Sequence, residues 1–158
     1  MPDHHTEFMQ KAIELARRGM LSNSGGPFGC VVVKDGRVIG EGWNKVTSTN
    51  DPTAHAEVVA IREACANLNA FQLDGCVIYT SCEPCPMCLA AIYWARPAAV
   101  YFACTRDDAA SIGFDDDFIY EEIAKPNHER RLALQPLMRD EASEVFRQWA
   151  AKADKTEY

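Results

Sequence analysis

The sequence lacks any apolar run of about 20 residues, the length that a membrane-spanning helix needs. It also lacks a basic excess, because 16 Lys and Arg stand against 23 Asp and Glu for a net charge of −7. The densest basic group, Arg130-Arg131 beside Glu129, is typical of a solvated face. Nucleic-acid binding usually needs a basic patch for the phosphates, so the composition disfavours such a partner without excluding it.

The first residues also lack the apolar stretch of a secretory signal peptide, so we expect a cytoplasmic protein. The seven cysteines are an odd number, which argues against a disulfide framework. Four of them lie in apolar segments and are predicted to be small buried hydrophobic residues: Cys30, Cys65, Cys76 and Cys104.

No internal repeat, low-complexity segment or linker is visible, and 158 residues fit one domain with a sizeable core. Apolar periodicity and turn residues predict the following elements. The chain begins with a helix over about 5–19, followed by strands over 28–33 and 38–44 that an Asp35-Gly36 turn joins. A helix over 54–68, capped by Asp51 or Thr53, then leads to a strand over 76–80, a helix over 84–95 and a strand over 99–104. The last elements are a short helix over 115–123, a strand or extended arm over 132–138 and an amphipathic helix over 142–153. This order predicts an α/β fold with a mixed sheet.

A group of metal-ligand residue types occupies two of the predicted helix starts. His55 begins one helix, with Glu57 two residues later, and Cys85 and Cys88 begin the next. Structural zinc sites usually have four protein ligands, whereas catalytic sites keep one position for water. One His, two Cys and a nearby carboxylate therefore predict a hydrolytic zinc site.

The spacing of these residues suits that chemistry. Cys85 and Cys88 share one face of a helix, and the positive helix end favours the thiolate form that binds metal. Two thiolates and a neutral imidazole balance the charge of Zn²⁺, so a water in the fourth position can ionise near pH 7. Glu57 does not share a helix face with His55, which fits a general acid/base that moves protons on the substrate side.

Cys82 leaves an alternative open, because Cys82-x-x-Cys85 is also a C-x-x-C pair. With Cys82 as a fourth ligand the site would be a structural zinc site in a non-enzymatic interaction module, and Glu57 would have no role. Alternatively, Cys82 and Cys85 could form a redox pair.

The motifs carry a resemblance to a known family. H-x-E followed by P-C-x-x-C is the signature of zinc-dependent nucleobase deaminases, and the stretches at 50–57 (NDPTAHAE) and 80–88 (TSCEPCPMC) resemble the cytidine-deaminase-like superfamily. Those two stretches would also fit tRNA adenosine deaminases. Four further runs resemble bacterial guanine deaminases of the small, cytidine-deaminase-like type: 25–29 (GGPFG), 91–97 (AIYWARP), 113–116 (GFDD) and 118–120 (FIY). The resemblance is weakest between Pro126 and Asp140.

This resemblance implies a three-layer α/β/α sandwich around a five-stranded mixed sheet. It implies one Zn²⁺ per chain and a homodimer in which the C-terminal arm, about 126–158, crosses to the partner and closes its active site. The implied reaction is guanine plus water to xanthine and ammonia, a step of purine catabolism or salvage. The alternatives are deamination of another amino-substituted heterocycle, such as cytosine or a triazine, or of tRNA adenosine.

The resemblance also implies substrate contacts, each with a structural alternative. Phe28 would stack on the base, Asn44 would form hydrogen bonds with the edge of the base, and Trp94 would line the pocket. The structural alternatives are core positions for Phe28 and Trp94 and a turn position for Asn44. Asp116 and Tyr158 would contact guanine from the exchanged arm, although an acidic run is usually solvated and chain ends usually fray.

Overall fold

The computed structural model describes residues 4–158, and the chain divides into two compact units, Met1–Asp116 and Asp117–Tyr158. The first unit contains α1 (His4–Leu21), β1 (Gly29–Lys34), β2 (Arg37–Trp43), α2 (Val46–Thr49), α3 (Ala56–Leu68), β3 (Val77–Cys82), α4 (Pro86–Ala95), β4 (Ala99–Cys104) and α5 (Arg106–Ser111). The second unit contains α6 (Asp117–Ala124), a 3₁₀ turn (Asn127–Glu129) and α7 (Arg139–Ala151). Within residues 4–158, no helix is both long and apolar enough to cross a membrane.

The sheet has the strand order β2-β1-β3-β4. β1 pairs antiparallel with β2 and β3, and β3 pairs parallel with β4, so the predicted mixed sheet is confirmed. Asp35 and Gly36 have φ values of 49° and 73° in the turn between β1 and β2. This confirms the predicted hairpin, in which both central residues need positive φ.

Side chains alternate between the two faces of β1, as they must in a strand. Cys30 and Val32 pack with α3 and α4 on one face, whereas Val31 and Val33 pack with Leu15 of α1 on the other. All four β1 side chains are buried. Helices therefore cover both faces of the sheet in the first unit, as the predicted three-layer arrangement requires.

Helix α3 sits unusually close to the sheet because β2 presents glycines to it. A Cβ at Gly42 would lie 2.3 Å from the carbonyl oxygen of Ala56, and one at Gly40 would lie 2.4 Å from that of Ala60. No larger residue fits at these positions without moving the helix. This contact fixes the first turn of α3, and thereby the residue that precedes it, His55, against the end of β2.

The expected five-stranded sheet is wrong, because the sheet found within residues 4–158 has four strands. The segment Leu132–Met138 forms neither helix nor strand. It contains Pro136, which has no backbone N–H for a sheet ladder.

Two smaller expectations are also wrong, and one helix was not anticipated. Residue 55, rather than Asp51 or Thr53, is the N-cap of α3, and the carboxylate of Asp51 instead accepts bonds from the backbone and hydroxyl of Thr53. Cys104 is exposed rather than buried. Helix α5 was not anticipated, although Thr105 and Asp108 form a capping box at its start.

The second unit is organised around Glu122. Its carboxylate accepts bonds from the ammonium group of Lys125 at 2.6 Å and from the backbone N–H of Arg131 at 2.7 Å. These bonds lower the pKa of Glu122. The Arg130 side chain donates to the carbonyl oxygens of Glu122 and Ile123. Hydrogen bonds between side chains and the backbone therefore hold the segment after α6 against that helix. The unit begins at Asp117, ahead of the arm predicted from about residue 126.

Candidate active site

Three potential metal ligands converge where two helices begin. His55 is the N-cap of α3, Cys85 is the N-cap of α4, and Cys88 lies in the first turn of α4. Nδ1 of His55 lies 3.4 Å from Sγ of Cys85 and 3.5 Å from Sγ of Cys88. The three ligand atoms all lie within 4.8 Å of one another, a separation that one metal ion can span.

The donor atoms of the ligand group fit Zn²⁺. The Cys88 thiol donates to the sulfur of Cys85, which lowers the pKa of Cys85 and raises that of Cys88. The backbone N–H of Cys88 also donates to the Cys85 sulfur at 3.4 Å, so the start of α4 stabilises a thiolate. The hydrogen bond with Cys85 raises the pKa of His55. Two sulfurs and one imidazole nitrogen are a typical zinc donor set, and three protein ligands leave a position for water.

Cys82 lies outside this group of ligand atoms. Its Sγ lies 3.7 Å from the carbonyl oxygen of Thr105. Burial, and to a lesser extent the nearby Cys104, raises the pKa of the Cys82 thiol to about 11. The Cys82 thiol is thus directed to a backbone oxygen, whereas the sulfurs of Cys85 and Cys88 both lie beside Nδ1 of His55. The alternative site with Cys82 as a fourth ligand is therefore disfavoured.

Glu57 is a buried carboxylate beside the ligand group. It is 6% exposed, and the hydroxyl of Thr80 on β3 donates to its Oε1 at 2.8 Å. Burial raises the pKa of Glu57, although hydrogen bonds from its own backbone and from Thr80 oppose that shift. Burial of this kind favours proton uptake by a carboxylate, which a general acid/base requires.

The ligand group opens into a cavity of about 430 Å³, a size suited to a small molecule. All residues that line it belong to the first unit: Gly26, Phe28, Asn44, Val46, Thr47, His55, Glu57, Cys82, Glu83, Cys85, Arg106, Ala109, Gly113, Phe114, Asp115 and Asp116. The fold thus gathers Phe28, Asn44 and Asp116 with the proposed catalytic carboxylate from distant parts of the sequence.

One wall of the cavity is aromatic. The rings of Phe28 and Phe114 have centroids 4.9 Å apart and meet edge to face at 89°. Gly26 makes room for them, because a Cβ there would lie 3.0 Å from an atom of each ring. The partly buried Phe28 ring presents a flat surface of the kind on which a planar heterocycle stacks.

Asn44 is 6% exposed, and its Oδ1 accepts bonds from the backbone N–H groups of Gly26 at 3.3 Å and Val46 at 3.1 Å. Because both partners are N–H donors, the side-chain oxygen of Asn44 must face them. The amide nitrogen of Asn44 then faces away from these two N–H groups and can donate to another acceptor. A Cβ at Gly25 would lie 2.1 Å from this oxygen, which accounts for glycine at that position.

The remaining predicted substrate residues fall in different places. Asp116 lines the cavity of its own chain, so it does not need arm exchange to reach the site. Trp94 on α4 is 62% exposed, so the alternative interpretation of Trp94 as a core residue is wrong. Trp94 is also absent from the cavity lining found within residues 4–158. Tyr158 belongs to the second unit and is 70% exposed.

Several cavity residues were not anticipated from the sequence. Phe114, Glu83 and Arg106 line the cavity, and α5 carries the last of these. Phe114 lies in the 113–116 run and Glu83 in the 80–88 run, both of which carried the family resemblance. That resemblance is the signal that could have singled them out.

Residues 2–104 match the cytidine and deoxycytidylate deaminase zinc-binding region. The chain belongs to this family. It is 56% identical over 155 residues to guanine deaminase of Bacillus subtilis (strain 168), covering 98% of this chain and 99% of that one. A solved structure of guanine deaminase from Bacillus subtilis has a TM-score of 0.95 at 56% identity, covering 98% of each chain. The tRNA-specific adenosine deaminase of Aquifex aeolicus (strain VF5) is 35% identical over 145 residues, covering 92% of this chain and 93% of that one.

A pair of cysteine variants tests the ligand set. We expect Cys88→Ser to weaken zinc binding by more than about 100-fold, because even removing a partner of a ligand costs about 10–100-fold. Cys82→Ser is the matched control and should keep one zinc per chain. Bound zinc is measured after dialysis against a graded chelator, with circular dichroism to confirm folding. Equal zinc loss in the two variants would return Cys82 to the ligand set.

Proposed function

We propose that this protein is a zinc-dependent guanine deaminase, which converts guanine and water to xanthine and ammonia. The observation that carries the proposal is one cavity that joins the His55, Cys85 and Cys88 group to Glu57, Asn44 and an aromatic wall. The 56% identity to Bacillus subtilis guanine deaminase over nearly the whole chain supports guanine as the substrate.

His55, Cys85 and Cys88 would hold the zinc ion, which would supply Lewis-acid chemistry to a water molecule when bound. Glu57 accepts the proton released when water attacks the carbon that bears the exocyclic amine. It passes that proton to a ring nitrogen, then takes the second proton from the added hydroxyl and gives it to the amino group, which leaves as ammonia. The bond from Thr80 to Oε1 holds the carboxylate in place throughout, and its burial favours proton uptake.

Recognition of the base follows from the cavity walls. The base stacks on Phe28, and the amide nitrogen of Asn44 donates to an acceptor on its edge. Asp116 accepts from a ring N–H of guanine, a role for which a carboxylate is suited. The free base carries an N–H where guanosine carries its sugar. A pocket built to bond that edge leaves polar groups unpaired when the wrong ligand enters.

Ammonia release by the zinc-loaded protein tests the substrate. Guanine, adenine, cytosine, an aminotriazine, guanosine and a tRNA anticodon stem-loop are supplied in parallel. We expect turnover of guanine, with kcat/KM for guanosine lower by about 10⁴-fold because its sugar removes a bonded N–H. Turnover confined to the stem-loop would favour a tRNA adenosine deaminase, and no ammonia from any compound would favour a non-enzymatic zinc module.

Replacing Glu57 by Gln tests the proton carrier. The amide keeps the size and the bond with Thr80 but cannot take up a proton. We therefore expect kcat to fall by about 10²–10⁴-fold while zinc content and folding are retained. Glu14→Gln is the matched control, because Glu14 is exposed on α1 and pairs only at the surface with Arg17. Retained turnover in Glu57→Gln would remove Glu57 from the mechanism.

We further propose a cytoplasmic homodimer in which the C-terminal arm completes the partner's site with Tyr158, and Trp94 walls that completed pocket. Each unit exposes large apolar side chains. On α4, Tyr93 is 76% and Trp94 62% exposed, and in the second unit Leu137 is 86% and Phe146 77% exposed. Exposed apolar surface of this kind supports an interaction with another chain. The seven cysteines all carry free thiols, which supports a reducing compartment.

Complementation between two impaired chains tests arm exchange. Tyr158→Ala should lower kcat/KM about tenfold by removing a substrate contact. Co-expressed with Glu57→Gln under separate tags, it should form heterodimers in which one site has both Glu57 and the partner's Tyr158. We expect the purified heterodimer to regain about half of the wild-type activity. Activity equal to the mean of the two parent variants would show that each arm serves its own chain or none.

A further inference from the structure

The cavity has two walls that come from different parts of the chain. One is the metal wall, the loop Cys82–Cys85 with the start of α4. The other is the recognition turn, residues 113–116, which contributes Phe114 and Asp116 to the cavity. The distance between these walls decides whether a base placed beside the metal ligands can also bond Asp116 and so bind tightly.

The recognition turn is bonded directly to helix α5. The backbone N–H of Phe114 donates to the carbonyl oxygen of Ala109 at 3.0 Å, and that of Gly113 donates to Ala110 at 3.0 Å. Gly113 has a φ of 94°, which lets the chain turn at the helix end. The turn therefore moves with α5.

The side chain of Glu83 in turn bonds helix α5 to the metal wall. Oε2 of Glu83 accepts the backbone N–H of Arg106, the first residue of α5, at 3.0 Å. Its Oε1 lies 3.4 Å from Nε of the same arginine. The backbone N–H of Glu83 donates to the carbonyl oxygen of Cys104 at 2.8 Å. Glu83 stands between Cys82 and the ligand Cys85, so this bonded link runs from the ligand loop to α5.

We propose that Glu83 is a positioning residue that fixes the recognition turn, and with it Asp116, at the correct distance from the metal ligands. The bond to a backbone N–H carries the effect, because the first N–H groups of a helix have no partner inside it. The ion pair with Arg106 contributes less, since both side chains are about one-third exposed, at 39% and 30%. This inference rests on the proposed role of Asp116 in binding guanine.

Steady-state kinetics with guanine test the proposal in the zinc-loaded full-length protein. We expect Glu83→Ala to raise KM about tenfold, the effect of one charged hydrogen bond, while kcat changes less than about threefold. Glu83→Gln should rescue most of the loss, because its amide oxygen still accepts the N–H of Arg106. Glu14→Ala, at an exposed surface pair, is the control. Loss of zinc from Glu83→Ala, or no change in KM, would overturn the proposal.

A double-mutant cycle shows whether Glu83 acts through Asp116. If it does, Glu83→Ala should raise KM by less than about twofold in an Asp116→Asn background, because the contact that it positions is already impaired. Additive effects would overturn the inference alone and indicate that Glu83 touches the substrate or acts elsewhere. An unchanged KM for Asp116→Asn by itself would overturn the proposed role of Asp116, and the inference with it.

Discussion

The arrangement of the site depends on two helices that begin at the same point. His55 and Cys85 are the N-caps of α3 and α4, so each helix turns its positive end toward the ligand group. That field favours thiolates, which would otherwise be costly beside a buried core. The meeting point depends on packing elsewhere, since α3 can approach β2 this closely only because Gly40 and Gly42 lack a Cβ. Backbone contact in the core thus fixes the geometry of the ligand atoms.

The same helix start separates a ligand from a proton carrier. His55 ends the loop before α3 and Glu57 lies in its first turn, so successive residues point in different directions from one rigid element. Burial raises the pKa of Glu57, and the bonds from its own backbone and from Thr80 lower it. Burial is the larger effect, so the pKa lies above the ordinary value and proton uptake is favoured, while the bonds limit the shift. A group that must accept and then return a proton needs this balance.

The sequence predicted the first unit well because its signals are local. The apolar run of β1, the Asp35-Gly36 turn and the apolar stripe of α3 each predicted an element that the structure contains. Properties that depend on tertiary contacts were not accessible in this way. The exposure of Trp94 and Cys104 depends on what covers them, and apolar neighbours in sequence do not determine that. The orientation of Asn44 requires two backbone donors from separate loops. The fifth strand was expected from resemblance, whereas the segment containing Pro136 is irregular.

The two sides of the cavity differ in how far they exclude water. Asn44 and Glu57 are each 6% exposed, whereas Phe114 on the recognition turn is 44% exposed. A hydrogen bond on the exposed side competes with water, so discrimination by Asp116 would be weak there in a single chain. Covering that side would strengthen the bond and align recognition with catalysis. The chain also exposes large apolar residues such as Phe146, which the proposed partner would cover. Closure of the site and assembly of the protein would then be the same event, and selectivity for the base would depend on both.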